Sequence, residues 1–223
     1  MFHHVDHGIV LPKITRKNTE VGRKYFTPEG NAYPSITTVL SILGKDAIQE
    51  WRNRVGEEEA NRVSAFASKR GTAVHKIAED YLNNEPDYKK GHMPTSVVSF
   101  NGIKSILDER LNNIWMQETF LYSDKLKCAG QVDCIAEFDG ELSIIDFKTS
   151  RKEKKRSWIR GYEMQTCFYA AAFLERTGIA IKNYAIIITV DEGNSQVFTG
   201  NTYEPFHDFL SCRQKYEEYV RSL

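Results

Sequence analysis

The chain has 223 residues, with 30 lysines and arginines balanced by 30 aspartates and glutamates, and 41% of it is hydrophobic. That length suits one domain with appendages and a sizeable core. A formal net charge of zero taken alone argues against a polyanion partner, and no apolar run is long enough to span a bilayer as a helix. Neither a signal peptide nor an Arg- and Ser-rich transit segment is recognisable, so the expectation is a soluble cytoplasmic protein.

Met1–Gly8 contains His3, His4, Asp6 and His7. The cluster has metal-ligating residue types, but a terminal segment without a helical or strand frame reads more simply as frayed. Ile9–Ile14 suits a short strand, and Lys24–Pro34 a hairpin around Pro28-Glu29-Gly30-Asn31. Ser35–Leu43 predicts a short helix capped by Ser35 and ended by Gly44. Asp46 with Gln49 reads as a capping box for Ala47–Val55, which carries Trp51 on its face. Glu57–Lys69 continues helically with Ala60, Val63 and Ala67 at core spacing. Arg70–His75 then leads into Lys76–Leu82, stopped by Asn83-Asn84-Glu85-Pro86.

Thr95–Asn112 predicts an amphipathic helix with Val98, Ile103, Ile106, Leu107 and Leu111 inward, followed by a strand at Ile114–Tyr122 containing Glu118. Cys128–Phe138 alternates as a strand that turns Val132, Cys134 and Ala136 one way, and Gln131, Asp133 and Ile135 the other. Asp139-Gly140 is a hairpin signal leading into Glu141–Ser150. Trp158–Arg176 predicts a helix with Met164, Phe168, Ala171, Ala172 and Phe173 as core. Asn183–Asp191 reads as a buried strand with a hairpin back through Gln196–Thr199. Tyr203–Leu223 is a charged helix with Phe206, Phe209, Leu210 and Tyr216 inward.

Charge is unevenly spread. Lys148–Arg160 holds seven basic residues and one acid, so plus six sits there and minus six on the rest. Such a stripe beside a carboxylate site suits a phosphate backbone; without such a site it would read as a solvated loop. The cysteines Cys128, Cys134, Cys167 and Cys212 lack C-x-x-C spacing, which favours reduced, buried thiols in a reducing compartment.

The chemistry concentrates in Glu141–Ser150, E-L-S-I-I-D-F-K-T-S. Strand period places Asp146 and Lys148 on one face at the end of a buried strand, where both are costly to desolvate. Alone, a D-x-K pair reads as a strand-end ion pair. Antiparallel pairing through the Asp139-Gly140 turn, however, brings Asp133 within reach of Asp146, giving two carboxylates for one divalent cation. Gln165 and Tyr169, four apart, share one helix face.

The ordered set Gly130-Gln131-Val132-Asp133, Asp146-Phe147-Lys148-Thr149-Ser150 and Gln165 to Tyr169 resembles the RecB-type branch of the PD-(D/E)XK nuclease superfamily. Tyr33-Pro34-Ser35 through Leu43, Trp51, Arg54, Gly56 and Arg70-Gly71 to His75 narrow the resemblance to the mitochondrial genome maintenance exonuclease group and its phage and bacterial relatives, over roughly residues 30 to 175. The resemblance implies an α/β fold with a core of helix, three-stranded antiparallel meander, helix and strand, with an N-terminal helical elaboration. It implies one nuclease domain over 1–223: hairpin and helical arch in 1–70, catalytic core in 71–200, C-terminal helix in 201–223. The cytoplasm expected is bacterial, or the host's for a phage-encoded chain.

On the same resemblance His75, Asp133, Asp146 and the Phe147 carbonyl are expected metal ligands, and Glu118 a further acid near the metal waters. Asp133, Asp146 and Lys148, with Glu118 beside them, form the expected catalytic set. Oxygen-rich ligation with one imidazole suits Mg²⁺ or Mn²⁺. Some RecB-type relatives hold an iron–sulfur cluster on four cysteines, three of them close together near the C-terminus; only Cys212 lies there, so no cluster is expected. Thr149, Ser150, Gln165 and Tyr169 are expected to hold the substrate backbone, Lys152, Lys154 and Lys155 its phosphates, and Trp158 to stack a base of single-stranded DNA; Trp158 buried at a helix start is the other reading. The activity implied is a metal-dependent DNA exonuclease preferring single-stranded ends. An endonuclease on the same fold and a non-catalytic nucleic-acid-binding module are the alternatives. RNA as substrate stays open, as does the oligomeric state.

Overall fold

A computed structural model describes residues 1–20 and 22–222. Its N-terminal strands β1 (Thr15–Thr19), β2 (Gly22–Phe26) and β3 (Ala32–Pro34) form a small antiparallel meander. The hairpin between β2 and β3 is the expected one. The strand expected at Ile9–Ile14 lies instead at Thr15–Thr19; Pro12 has no N–H to give to a ladder.

The main sheet has the order β4 (Leu111–Ser123), β5 (Cys128–Phe138), β6 (Glu141–Lys152), β7 (Asn183–Glu192), β8 (Gln196–Asn201). β4, β5 and β6 are antiparallel neighbours, and β7 lies parallel to β6. The parallel step needs a crossover, supplied by α5 (Arg160–Thr177). Asp139 and Gly140 have φ of 54° and 82°, the two positive values a type I′ hairpin requires. With α4 (Pro94–Arg110) before β4, the expected helix, meander, helix, strand order is observed.

Helices cover both faces of this sheet, which is why Tyr184–Val190 of β7 is a continuous buried run. One core joins α1 (Ile36–Leu40), α5 and α6 (Phe206–Arg221) to the sheet through Ile36, Val39, Ile135, Phe168, Phe173 and Phe209. The other joins α3 (Glu57–Leu82) and α4 through Ile77, Leu82, Phe100, Ile103, Leu107 and Phe147. The alternation expected in β5 is not kept. Val132 packs in the first core, while Cys134 and Ala136 pack in the second. The break falls between Val132 and Cys134, opposite Glu118, whose φ of 46° departs from strand geometry.

Several expectations for the helices are corrected. α2 (Lys45–Val55) begins after a 3-10 turn at Ser41–Gly44, with Gly44 at its N-cap and no capping side chain; the Asp46–Gln49 box does not form, because the preceding turn already runs into the helix. Residues 57–82 are one uninterrupted helix rather than two. Val63 and Ala67 are exposed and only Ala60 of that half is buried, since this half of α3 packs on α2 rather than on the sheet. In α4 the buried stripe runs through Phe100, Ile103 and Leu107, leaving Val98 69% exposed. In α6 Phe209 and Cys212 are buried, whereas Phe206 and Leu210 are exposed.

The N-terminus is not frayed. Ile114 N–H donates to the His3 carbonyl and Val5 N–H to the Ile114 carbonyl, both at 2.8 Å. His4 and His7 bond the carbonyls of Leu82 and Trp115 through Nε2, so these imidazoles are spent on the backbone. All four thiols are free and buried. No helix among the described residues is long and apolar enough to cross a membrane.

Candidate active site

The ladder between β5 and β6 ends at the pair Cys134–Ile145. The next pair in register would be Asp133 and Asp146. There the strands part, and Phe147 N–H donates to Asp133 Oδ2 at 2.8 Å. On its other edge β6 stays paired with β7 from Ser143 through Lys152, with Asp146 opposite Ile186 and Lys148 opposite Ile188.

Asp146 is 1% exposed, and neither of its oxygens accepts an aligned hydrogen bond. Lys148 Nζ stands 2.5 Å from its Oδ2 and 5.1 Å from the centre of the Tyr162 ring. Burial pushes the Asp146 carboxyl up, to about 6, against the pull of Lys148. Burial disfavours the Lys148 ammonium, but Asp146 and Asp133 together hold its pKa above the ordinary lysine value. The two carboxylates thus favour its charged form.

His75 sits on α3 with Nδ1 3.4 Å from Asp133 Oδ1. Burial works against its charged form, yet the Asp133 carboxylate raises the imidazole to about 9. The same imidazole, with Lys148, holds Asp133 below its usual value although burial opposes this. Glu118 stands opposite Asp133 in register, between the pairs Gln117–Cys134 and Thr119–Val132, with a left-handed φ of 46°. Burial and the Asp133 charge raise its carboxyl to about 7. His75, Glu118 and Asp133 each bring one ligand atom within 4.8 Å of the others.

These residues fit a divalent metal. The donor set is two carboxylates and an imidazole, and beside it the buried Asp146 has two oxygens without aligned donors, a costly state that a cation would relieve. Glu118 belongs to the inner cluster, whereas Asp146 lies one step deeper against Lys148.

The cluster opens into a cavity of about 520 Å³ lined by Gly71, Thr72, His75, Glu118, Asp133, Lys148, Gln165 and Tyr169. Tyr169 donates its hydroxyl to the Gln131 carbonyl at 2.7 Å and accepts from Gln165 Nε2 at 3.2 Å. Gly130 makes this seat possible: a Cβ there would come 2.8 Å from Tyr169 Cε1 and 2.9 Å from Ile36 Cγ2. Gly71, by contrast, has only Thr149 Oγ1 nearby, at 3.8 Å, so the protein itself leaves room for a side chain there.

The remaining expected substrate residues stand apart. Thr149 follows Lys148 on β6 without lining the cavity, and Ser150 donates its hydroxyl to the Lys152 carbonyl. Lys152, Lys154, Lys155 and Trp158 also lie outside the lining. Trp158 is 60% exposed, which removes the buried reading, and Lys155 Nζ lies 5.5 Å from its ring. Within the basic run Arg151 pairs with Glu192, and Arg156 and Arg160 pair with Glu163. The far wall of the cavity carries Arg16, Arg23 and Tyr25 from the N-terminal meander, which the motif reading missed. The available signal was five basic residues against one acid, Glu20, between Lys13 and Lys24.

The backbone leaves the cavity rim at Thr37 and regains it at Gly71. Between them run α2 and the first half of α3, joined at Gly56 with φ 86°, and residues 61–69 are exposed throughout.

Residues 104–206 match the PD-(D/E)XK nuclease superfamily. The chain is similar to mitochondrial genome maintenance exonuclease 1 of Mus musculus, 27% identical over 132 residues, covering 56% of this chain and 39% of that protein. The Homo sapiens protein of the same name is 25% identical over 134 residues, covering 56% and 38%. The alignments thus span about two-fifths of those relatives' length. A solved structure from Eubacterium rectale, itself only provisionally named an exonuclease, overlaps 70% of this chain and 66% of its own at 12% identity and a TM-score of 0.43, too loosely to bear on function. The resemblance to this superfamily and to this exonuclease group, read from the motifs, is matched by these comparisons, and the expected α/β element order is the observed one.

Proposed function

We propose that this chain, with its PD-(D/E)XK nuclease core, is a divalent-metal-dependent deoxyribonuclease that degrades single-stranded DNA from free ends. The observation that carries the reading is the opening of β5 from β6 at Asp133 and Asp146, with Lys148, His75 and Glu118 gathered at the gap. His75, Glu118 and Asp133 would hold the metal, with Asp146 and the Phe147 carbonyl behind them. When bound, Mg²⁺ or Mn²⁺ supplies Lewis acidity for the phosphoryl oxygens and a water of lowered pKa.

The chain's own groups do the rest. Lys148, kept as an ammonium, stabilises charge developing on the phosphate. Gln165, seated by its bond to the Tyr169 hydroxyl, presents the rest of its amide to the strand on the cavity wall, and Tyr169 shapes that wall. Trp158 and the lysines beside it offer a stacking and electrostatic approach outside the cavity. Requirement for an end follows from α2 and the first half of α3, which connect one rim of the cavity to the other. A strand reaching the acids beneath that connection must thread. Residues 1–70 then supply the meander and arch, 71–200 the catalytic core, and 201–223 the C-terminal segment that carries α6; Leu223 lies outside the described residues.

Incubation of the purified protein with end-labelled single strands tests this, in Mg²⁺, in Mn²⁺ and in chelator. Progressive shortening with either metal and none in chelator is expected. Cleavage that survives chelation would remove the assignment.

A further inference from the structure

We propose that Arg16 and Arg23, on the wall of the cavity contributed by the N-terminal meander, form a clamp for a phosphodiester of the bound strand. The proposal rests on the nuclease reading and assigns to it a binding site outside the D-x-K core and outside the lysine run.

Pairing of Arg16 with Tyr25 and of Asn18 with Arg23 puts both arginines on the Tyr25 face of the β1–β2 ribbon, since alternate residues share a face. They are diagonal neighbours, roughly 7–8 Å apart in such a ribbon. All three side chains line the cavity that holds His75, Glu118 and Asp133, and the charges of both arginines act on the Tyr25 hydroxyl.

Among the described residues no carboxylate stands within ion-pair distance of either arginine. Ten of the chain's thirteen arginines have a carboxylate partner. Among the described residues Arg16, Arg23 and Arg54 have none, and of these only Arg16 and Arg23 line the cavity. Two like charges converging without a counter-charge repel each other, and an anion between them converts that repulsion into attraction. A guanidinium's planar fork matches phosphate oxygens.

Arg16 is also held in place. Its Nη1 donates to Gln131 Oε1 at 2.8 Å, and its guanidinium lies 5.7 Å from the Phe120 ring centre. Gln131 in turn donates through Nε2 to the Glu118 carbonyl at 3.0 Å. One side chain, two residues before Asp133, therefore fixes Arg16 relative to the acids on the opposite wall. A phosphate gripped there sets the register in which a neighbouring phosphodiester meets them. Lys152, Lys154 and Lys155, which do not line the cavity, have no such fixed relation.

The test is binding of a labelled single-stranded oligonucleotide in chelator across a salt series, for wild type, R16Q, R23Q, the double variant and R16K/R23K. Turnover is measured in parallel with Mg²⁺. Both arginines are exposed and free of ion pairs, so melting temperatures are expected to hold; if R16Q melts early through loss of the Gln131 bond, R23Q alone carries the test. The double variant is expected to lose at least about tenfold in affinity and to lower the slope of log affinity against log salt by roughly 1.4, or 0.7 per lost contact. KM should rise far more than kcat falls, and the lysine pair should restore the slope but only part of the affinity. A wild type that binds and cuts, with an unchanged slope in the double variant, overturns the clamp alone. A wild type that neither binds nor cuts any strand overturns the nuclease reading and the clamp together.

Discussion

Phe147 N–H donates to Asp133 Oδ2 at 2.8 Å at the point where the β5–β6 ladder has ended. A side-chain oxygen takes the place of a main-chain acceptor, which satisfies a buried N–H and leaves Asp133 Oδ1 facing His75. The aspartate thus ties the opened strand to the helix that brings the imidazole. Asp133→Ala should cost about 1–3 kcal/mol through the orphaned N–H, whereas Asp133→Asn should keep most of the stability. Both should lose cleavage by at least about 10²-fold if this acid handles the catalytic water. Denaturant titration beside single-turnover cleavage separates the two effects, and an active Asp133→Asn would remove the catalytic role.

Lys148→Met should behave differently. It leaves the buried Asp146 without its cation, and breaking such a pair costs about 3–5 kcal/mol. Mg²⁺ or Mn²⁺ should recover part of that loss by supplying positive charge, without recovering activity. Equal melting temperatures with and without metal would argue that the metal does not reach Asp146.

Gly130→Ala inserts a methyl into the contact between β5, Tyr169 and Ile36. Overpacking of this kind costs about 1–3 kcal/mol. Because Tyr169 lines the cavity, activity should fall by more than the folded fraction accounts for. A variant as stable and active as wild type would show that α5 can back away from the sheet.

The metal-free protein should lose stability as pH rises. His75 is raised from 6.5 to about 9 and Glu118 from 4.5 to about 7. A group whose folded pKa lies above its unfolded value binds more protons in the native state between the two, so its contribution is full below the unfolded pKa and lost on rising through the folded one. The His75 share should therefore disappear between pH 6.5 and 9. Melting of wild type and His75→Ala in chelator tests this: the two curves should converge across that window. Parallel curves would contradict the Asp133–His75 coupling.

The contrast between legible and illegible parts follows physical lines. The D-x-K strand, the Asp139-Gly140 turn and the Gln165–Tyr169 face were readable because each depends on local periodicity. The opening of β5 from β6 was not, since strand alternation does not encode where a ladder ends, and here the Asp133 side chain takes the Phe147 N–H. Glu118 was undervalued for a similar reason, as its left-handed φ turns it toward His75 in a way strand alternation does not encode. Arg16 and Arg23 were missed because they belong to a separate small sheet brought to the cavity only by folding. The conspicuous lysine run drew attention instead, although Arg156 and Arg160 within it are spent on Glu163.

Reversing Lys152, Lys154 and Lys155 to glutamate should accordingly slow association more than it slows the chemical step, with an effect that fades at high salt. Stopped-flow binding against single-turnover cleavage distinguishes the two. A fall in the single-turnover rate at saturating protein would place these lysines at the reacting phosphate.

The central claim is that a strand reaches Asp133 and Glu118 only by passing beneath α2 and the first half of α3. Degradation of a linear single strand and of a covalently closed circle of the same sequence, with Mg²⁺ and equal protein, measures it most directly. The linear strand should shorten from its ends while the circle persists. Rapid nicking of the circle would contradict threading, leave these helices as a cover on an open groove, and make the enzyme an endonuclease.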